Sequence, residues 1–177
     1  MKRILVLLAC VLAVAFGAFG QENIDFSTLP LASTPSPVPN GYGGLNWTNF
    51  FYVDPSQWSG AGPGYKDGPT GEDVGFVGGR ICRLMPETCY GTISSAGGPI
   101  AFQPVSAVVA GGFGPTYVIV TAYNNGTYVG SMSIPLGTQM RTLTFPASWG
   151  SITQLVFATP TGADLVLYDF QAYLLGG

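Results

Sequence analysis

Glycine and proline recur so densely in this chain that regular helices are disfavoured along most of its length. The 177 residues include 26 glycines and 14 prolines, and both residue types weaken or end helices. After residue 20 no apolar pattern persists at the three-to-four-residue spacing of a helix. The chain is therefore restricted to strands, turns and extended loops.

Several stretches of β-branched and aromatic residues predict strands. The clearest pair is Pro115–Tyr123 and Thr127–Ile134, joined by Asn124-Asn125-Gly126. An Asn-Gly pair accepts the positive φ angles of a tight turn, so this pair predicts a β-hairpin. Further strands are predicted at residues 47–53, 74–77, 88–93, 100–103, 106–111, 140–145, 152–159 and 164–174.

The final predicted strand shows which face of its sheet is apolar. Val166, Tyr168, Phe170, Ala172 and Leu174 alternate along one wholly apolar face, and the other face is mixed. A strand with one dry face belongs to a sheet that packs against a second sheet. With about ten short strands, we predict an all-β fold, an antiparallel two-sheet β-sandwich of the jelly-roll type.

The N-terminus has the layout of a secretory signal peptide. A basic start precedes an apolar run from Ile4 to Phe19, and small residues precede a cut after Gly20. A cut after Gly17, a membrane anchor and a lipoprotein at Cys10 are the alternatives. We predict a signal peptide over residues 1–20, a single domain over 21–177 and a secreted protein, periplasmic or on the cell surface in a bacterium, with no membrane span after cleavage.

The predicted mature chain is acidic and sparsely charged. Removal of Lys2 and Arg3 leaves four basic residues against nine acidic ones, a net charge of −5. Such a chain has no basic patch, which argues against nucleic acid as a partner.

Catalysis has few candidate groups because the chain contains no histidine, the usual general base at neutral pH. A pair of carboxylates is the one mechanism that the composition allows, as in glycoside hydrolysis. Asp67, Glu72 and Asp73 lie close in sequence, with Asp54 and Asp169 also available. We interpret them as solvated loop acids and predict that the protein is not an enzyme.

The same acids suggest a structural calcium ion, the one cofactor considered. Calcium takes carboxylate and carbonyl oxygens, and glycine-rich loops expose carbonyls. Asp67 and Asp73 lie in such a loop. Asp25 and Asp169 lie in the first and last strands, which are neighbours in a jelly roll, so they could share an ion.

Loop aromatics provide a candidate ligand site. Sugars stack their flat C–H faces on aromatic rings, and Trp58, Tyr65 and Tyr42 lie in glycine- and proline-rich loops, where rings can be exposed. Asn40 and Asp67 are the candidate hydrogen-bonding partners. Core packing is the alternative for every ring, and it is the preferred interpretation for Trp47 and Trp149.

Two cysteines remain in the mature chain, Cys82 and Cys89. Outside the cytoplasm a nearby pair favours a disulfide. Asn46 and Asn125 begin glycosylation sequons, which matter only in a eukaryotic host.

The stretch from Pro37 to Phe50, PVPNGYGGLNWTNF, resembles a motif of small secreted proteins from bacteria and fungi. That motif reads Pro-x-Pro-Asn-Gly-Tyr-x-Gly-Leu-x-Trp-x-Asn-Phe. Most of these proteins have no assigned activity, and the resemblance implies a sandwich similar to non-catalytic carbohydrate-binding modules. This chain departs from the pattern at Phe170, where Asn is common, and at Glu72-Asp73.

Three hypotheses follow for function. The preferred one is a secreted, non-catalytic module that binds a cell-wall or matrix glycan through loop aromatics. The alternative is a self-associating structural, surface or filament protein, since uncharged surfaces tend to associate. A carboxylate-based glycoside hydrolase is the least favoured.

Overall fold

The computed structural model describes residues 20–68, 71–78, 88–96, 101–160 and 162–175. These residues form twelve strands and short 3-10 turns, and every strand pairing is antiparallel. The strands are β1 (Gln21–Asp25), β2 (Ser36–Pro37), β3 (Leu45–Thr48), β4 (Phe51–Val53), β5 (Val74–Gly78), β6 (Thr88–Ser95), β7 (Phe102–Gly111), β8 (Thr116–Asn124), β9 (Thr127–Leu136), β10 (Arg141–Thr144), β11 (Gln154–Pro160) and β12 (Asp164–Leu174). The predicted all-β sandwich is confirmed.

The strands form two sheets. The seven-stranded sheet has the order β10-β7-β12-β5-β4-β2, and β1 pairs along the second half of β12. The five-stranded sheet has the order β3-β6-β11-β8-β9. The predicted hairpin is β8–β9, and Asn125 at its turn has a φ of 48°, as expected of an Asn-Gly turn.

The main core lies between the sheets and is rich in aromatic rings. Trp47 contacts Phe50 edge-on at 5.2 Å between ring centroids, and Phe145 contacts Phe170 edge-on at 6.0 Å. Edge-on aromatic pairs add stabilisation beyond the area they bury. Trp47 and Trp149 are buried here, which confirms their interpretation as core residues.

The predicted single strand over 47–53 is wrong. Asn49 adopts a positive φ of 58°, and there the chain leaves β3 of one sheet for β4 of the other. Phe50 at this crossing is buried. The predicted strands at 100–103 and 106–111 are, by contrast, one strand: β7 runs unbroken from Phe102 to Gly111.

The predicted faces of the last strand are also wrong for its first half. Leu167 pairs with Val109 and Asp169 with Val108, so Tyr168 is an extra residue in the ladder. Such a bulge moves the residues before it to the opposite face from the one that simple alternation predicts. Leu165 and Leu167 therefore enter the main core with Phe170, and Tyr168 faces outward.

Residues 1–19 of the predicted signal peptide lie outside the described residues. Among the residues that are described, no helix has the length and apolar character to cross a bilayer.

Candidate functional site

Residues 54–68 and 71–73 fold over the outer face of the seven-stranded sheet; we call these residues the roof. Beneath it lies a second apolar cluster of buried residues: Val53, Tyr65, Val74, Phe76, Ala110, Val166 and Tyr168. The bulge in β12 supplies Tyr168 to this cluster. The seven-stranded sheet is therefore buried on both faces where the roof covers it.

Close backbone contact fastens the roof to the sheet. The Gly64 N–H donates to the carbonyl of Gly112 at 2.9 Å. A Cβ at Gly64 would lie 2.0 Å from the Gly111 carbonyl oxygen, so only glycine fits at this contact. The Tyr168 hydroxyl also donates to the Gly64 carbonyl.

Tyr65 anchors the roof from below. Its side chain is fully buried, and its hydroxyl donates to Oδ2 of Asp164 at 2.7 Å. Burial and then the Asp164 carboxylate raise the pKa of the Tyr65 hydroxyl far above its usual range, so the hydroxyl keeps its proton. Tyr65 was predicted to stack on a ligand, but in this position its ring has no exposed face.

Trp58 lies above Tyr65 and is partly exposed. Its indole stacks on Phe76 at 5.9 Å with an interplanar angle of 16°, and meets Tyr65 edge-on at 5.1 Å. A Cβ at Gly60 would lie 2.7 Å from the indole Cε2, so the backbone at Gly60 also packs against the ring. These contacts hold the indole in one orientation.

A cavity of about 550 Å³ opens beside Trp58. Its volume lies in the range of small-molecule sites, about 300–1,000 Å³. The lining residues belong to the two halves of the roof: Pro55, Ser56, Gln57, Trp58, Ser59, Tyr65, Lys66, Gly68 and Gly71. The cavity combines an aromatic ring with hydroxyl, amide and ammonium groups.

Asp54 organises one wall of this cavity. Its Oδ1 accepts hydrogen bonds from the Ser56 amide at 2.8 Å and the Ser56 hydroxyl at 2.6 Å, and its Oδ2 accepts from Gln57 Nε2 at 2.6 Å. The hydrogen bonds from Ser56 are the main reason that the pKa of Asp54 is lowered although the side chain is buried. Asp54 was not predicted to have this role, although an Asp two residues before a Ser is a sequence signal for such a turn.

Asp67 and Lys66 are exposed at the other end of the roof. Oδ2 of Asp67 accepts a hydrogen bond from the Met140 amide at 2.6 Å, which ties the roof to the start of β10. Asp67 is not among the residues that line the cavity, whereas Lys66 is.

Tyr42 and Asn40, the other predicted ligand residues, lie elsewhere. The Tyr42 ring stacks on Phe26 at 6.0 Å, and its hydroxyl donates to the Asp25 carbonyl and lies 2.9 Å from the Thr28 hydroxyl. Burial is the main cause of the raised pKa of Tyr42. Oδ1 of Asn40 accepts from the Trp47 amide at 3.1 Å. Both residues stabilise the turn before β3 and do not line the cavity.

Two of the predicted calcium ligands do lie together. Asp25 of β1 is directly opposite Asp169 of β12, as predicted for the first and last strands. Burial and then Asp25 raise the pKa of Asp169. These carboxylates supply part of the six to eight oxygens that calcium requires, but no group of three or more His, Cys, Asp or Glu placed to hold a metal occurs within the described residues.

Asp73 is buried at the edge of the roof. Its Oδ1 accepts from the Ala32 amide at 3.5 Å, and its Oδ2 has no hydrogen-bonding partner among the described residues. Burial raises the pKa of Asp73, and the nearby Asp54 charge adds to the effect. Calcium binding at any of these acids remains a prediction.

The predicted disulfide joins Cys82, which lies outside the described residues, to Cys89. Cys89 is buried in β6 against the main core. The pairing remains a prediction.

Comparison with protein-family models gives no match, and comparison with curated protein sequences gives none either. Solved structures with TM-scores of 0.50 share the fold. A DUF4465 family protein from Bacteroides caccae is 11% identical with a TM-score of 0.50, covering 93% of this chain and 96% of that one. An arabinose-bound α-L-arabinofuranosidase is 10% identical with a TM-score of 0.50, covering 88% of this chain but only 26% of the enzyme. A family 11 carbohydrate-binding module of a Clostridium thermocellum cellulase is 12% identical with a TM-score of 0.43, covering 89% of this chain and 96% of the module.

Proposed function

We propose that this protein is a secreted, non-catalytic carbohydrate-binding module whose roof cavity holds a sugar unit against Trp58. One observation carries the proposal. A partly exposed indole, fixed by Phe76 and Tyr65, borders a cavity of about 550 Å³ with polar groups on its walls. Fixed aromatic rings lose little entropy when a ligand stacks on them.

The cavity walls suit the polar edge of a sugar. Nε2 of Gln57 is held by Asp54, so the amide oxygen of Gln57 is the group left to accept from a sugar hydroxyl. Ser59 and Lys66, which also line the cavity, supply a hydroxyl and an ammonium donor. In this arrangement Tyr65 is a positioning residue beneath the indole, and Asp67 fixes the far end of the roof.

The chemistry of the site favours binding over hydrolysis. A glycosidase needs a carboxylic acid whose pKa is raised so that it can protonate the leaving group. Asp54, the acid that shapes the cavity wall, has a lowered pKa because Ser56 and Gln57 donate to its carboxylate. Asp54 is therefore unsuited to the role of general acid, and Asp73, whose pKa is raised, does not line the cavity.

Binding of the purified chain to a broad array of oligosaccharides tests the proposal. We expect Trp58→Ala to weaken binding at least about ten-fold, the effect of removing an aromatic residue that dominates an interface. Phe113→Ala is the matched control, because Phe113 is 52% exposed and contacts Tyr65 but does not line the cavity. Thermal unfolding of each variant shows that the fold is kept.

Two results would contradict the proposal. One is a folded wild-type chain that binds no saccharide on the array. The other is Trp58→Ala binding as tightly as wild type.

A further inference from the structure

We propose that the outer face of the five-stranded sheet is a second binding surface, which takes an extended and uncharged polysaccharide chain. We call it the open face. It lies on the sheet that does not carry the roof, and its strands share no residue with the lining of the Trp58 cavity.

Burial along the strands shows which side chains form the open face. Val118, Val120 and Ala122 of β8 are fully buried in the main core, whereas Tyr117 and Ile119 are exposed. On β11, Leu155 and Phe157 are likewise buried. Because side chains alternate along a strand, the residues between these buried ones point outward.

Strand register places the outward residues in rows across the sheet. Val156 of β11 lies opposite Thr92 of β6 and Thr121 of β8. Two residues along, Gln154 lies opposite Ser94 and Tyr123. Directly opposite side chains have Cβ atoms about 4.5–5.5 Å apart, so these rows are close arrays of hydroxyl, amide and aromatic groups.

Four tyrosines lie on the open face. Tyr128 is 60% exposed, Tyr117 is 47% exposed and Tyr90 is 45% exposed. Tyr123 is partly exposed and meets Tyr128 edge-on at 6.2 Å. Rings held on a paired strand present a fixed surface on which a flat apolar group can stack.

The five strands of this sheet contain no Asp, Glu, Lys or Arg. The complete chain has nine acidic and six basic residues, so this absence reflects where the charges lie rather than a lack of them. Arg141 of β10 donates from Nη1 to the Pro135 carbonyl at the β9 edge of the sheet, at 3.0 Å. The strands themselves offer no counter-charge to replace the hydration that an acidic or basic polymer would lose on this face. The open face is complementary in charge to a neutral partner.

The mixture of groups favours a polysaccharide over a second copy of this chain. Contact between two copies would bury hydroxyl and amide groups of the rows, and interfaces between identical chains are characteristically more apolar than other surfaces. A sugar polymer offers a hydroxyl for each of these groups and C–H faces for the tyrosines. Tyr117 and Tyr123 both lie on β8. At a rise of about 3.4 Å per residue they are about 20 Å apart, so a ligand that contacts both rings must be extended.

Co-sedimentation with insoluble polysaccharides tests the proposal. The probes are cellulose, β-1,3-glucan, mannan and granular starch as neutral polymers, with calcium pectate and chitosan as charged ones. We expect retention on at least one neutral polymer, and a loss of at least about ten-fold in affinity for the combined variant Tyr90→Ala, Tyr117→Ala and Tyr128→Ala. Retention should change little between about 0.05 and 0.5 M NaCl, because screening weakens only charge-based contacts.

Leu31→Ala is the matched control. Leu31 is 65% exposed, the highest value among the large hydrophobic residues that the structure describes, and lies outside the five-stranded sheet. The proposal is overturned if no neutral polymer retains the folded chain, if only charged polymers do, or if the tyrosine variant is retained like wild type. It is also overturned if sedimentation shows that these tyrosines support only self-association. Loss of binding in Trp58→Ala alone would concern the roof cavity and leave this proposal intact.

Discussion

The two sheets of this sandwich present contrasting surfaces to solvent. Every charged residue in the described part of the chain lies on the seven-stranded sheet or in the loops that adjoin it. That sheet is covered by the roof, which encloses a second apolar cluster and a cavity. The strands of the five-stranded sheet contain no charged residue and leave their tyrosines exposed. One fold therefore offers an enclosed site on one side and an open, neutral face on the other.

The largest expected effect comes from detaching the roof. A Cβ at Gly64 would lie 2.0 Å from the backbone oxygen of Gly111, so Gly64→Ala forces the two backbones apart. We expect the free energy of unfolding to fall by about 3 kcal/mol, as in overpacked sites, and binding at the Trp58 cavity to weaken. Denaturant unfolding and oligosaccharide titration measure the two effects.

Gly114→Ala is the control for this substitution, because a Cβ at Gly114 meets nothing within 4 Å. If Gly64→Ala were as stable as Gly114→Ala, the roof would not be packed as described. The open face should bind its polysaccharide in both variants.

A smaller effect of opposite sign is expected at Asp73, whose buried Oδ2 has no hydrogen-bonding partner in the described part of the chain. The pKa of Asp73 is raised by folding, so the folded state binds more protons than the unfolded state. Stability therefore rises as the pH falls from the folded pKa towards the ordinary value near 3.8. Asp73→Asn should add about 1 kcal/mol at pH 7, the scale of an unsatisfied buried group, and less near pH 4.

Thermal unfolding at both pH values measures this difference. Glu72→Gln, a neighbouring exposed acid, should change stability by less than about 0.5 kcal/mol. A loss of stability in Asp73→Asn at both pH values would contradict the account of Asp73.

The smallest change in stability is expected when a lysine is placed on the surface of either sheet, and these two variants compare the sheets directly. Thr121→Lys places a charge in the centre of the open face, and Thr142→Lys places one on exposed β10 of the charged sheet. Each should change the free energy of unfolding by no more than about 0.5 kcal/mol. Only Thr121→Lys should reduce retention on the neutral polysaccharide, since it adds a charge that the ligand cannot pair. Equal retention of the two variants would argue against the open face as a binding surface.

The sequence predicts the local parts of this fold well. The β8–β9 hairpin depends on an Asn-Gly turn and on alternation within two neighbouring segments, and both can be recognised without tertiary structure. The bulge at Tyr168 cannot be recognised in this way, because it is defined by pairing with β7, more than fifty residues earlier. The break at Asn49 likewise depends on which sheet each side joins.

The candidate site was harder to predict because the roof is a tertiary feature. A glycine-rich loop indicates exposure, but burial of Tyr65 results from the contact of Gly64 with Gly112. The open face did leave a signal in the sequence: residues 88–163 contain a single charged residue, Arg141. The low charge points to an uncharged surface only when the strand order shows that five of the uncharged strands form one sheet.

The most direct test uses one neutral polysaccharide in two forms, as short soluble fragments and as the insoluble polymer. Affinity for both forms is measured for wild type, Trp58→Ala and the combined Tyr90, Tyr117 and Tyr128 alanine variant. We expect Trp58→Ala to lose binding to the fragments and keep binding to the polymer, and the tyrosine variant to lose the polymer and keep the fragments. Parallel loss of both forms in either folded variant, or no loss in either, would contradict the assignment of two separate surfaces to the two sheets.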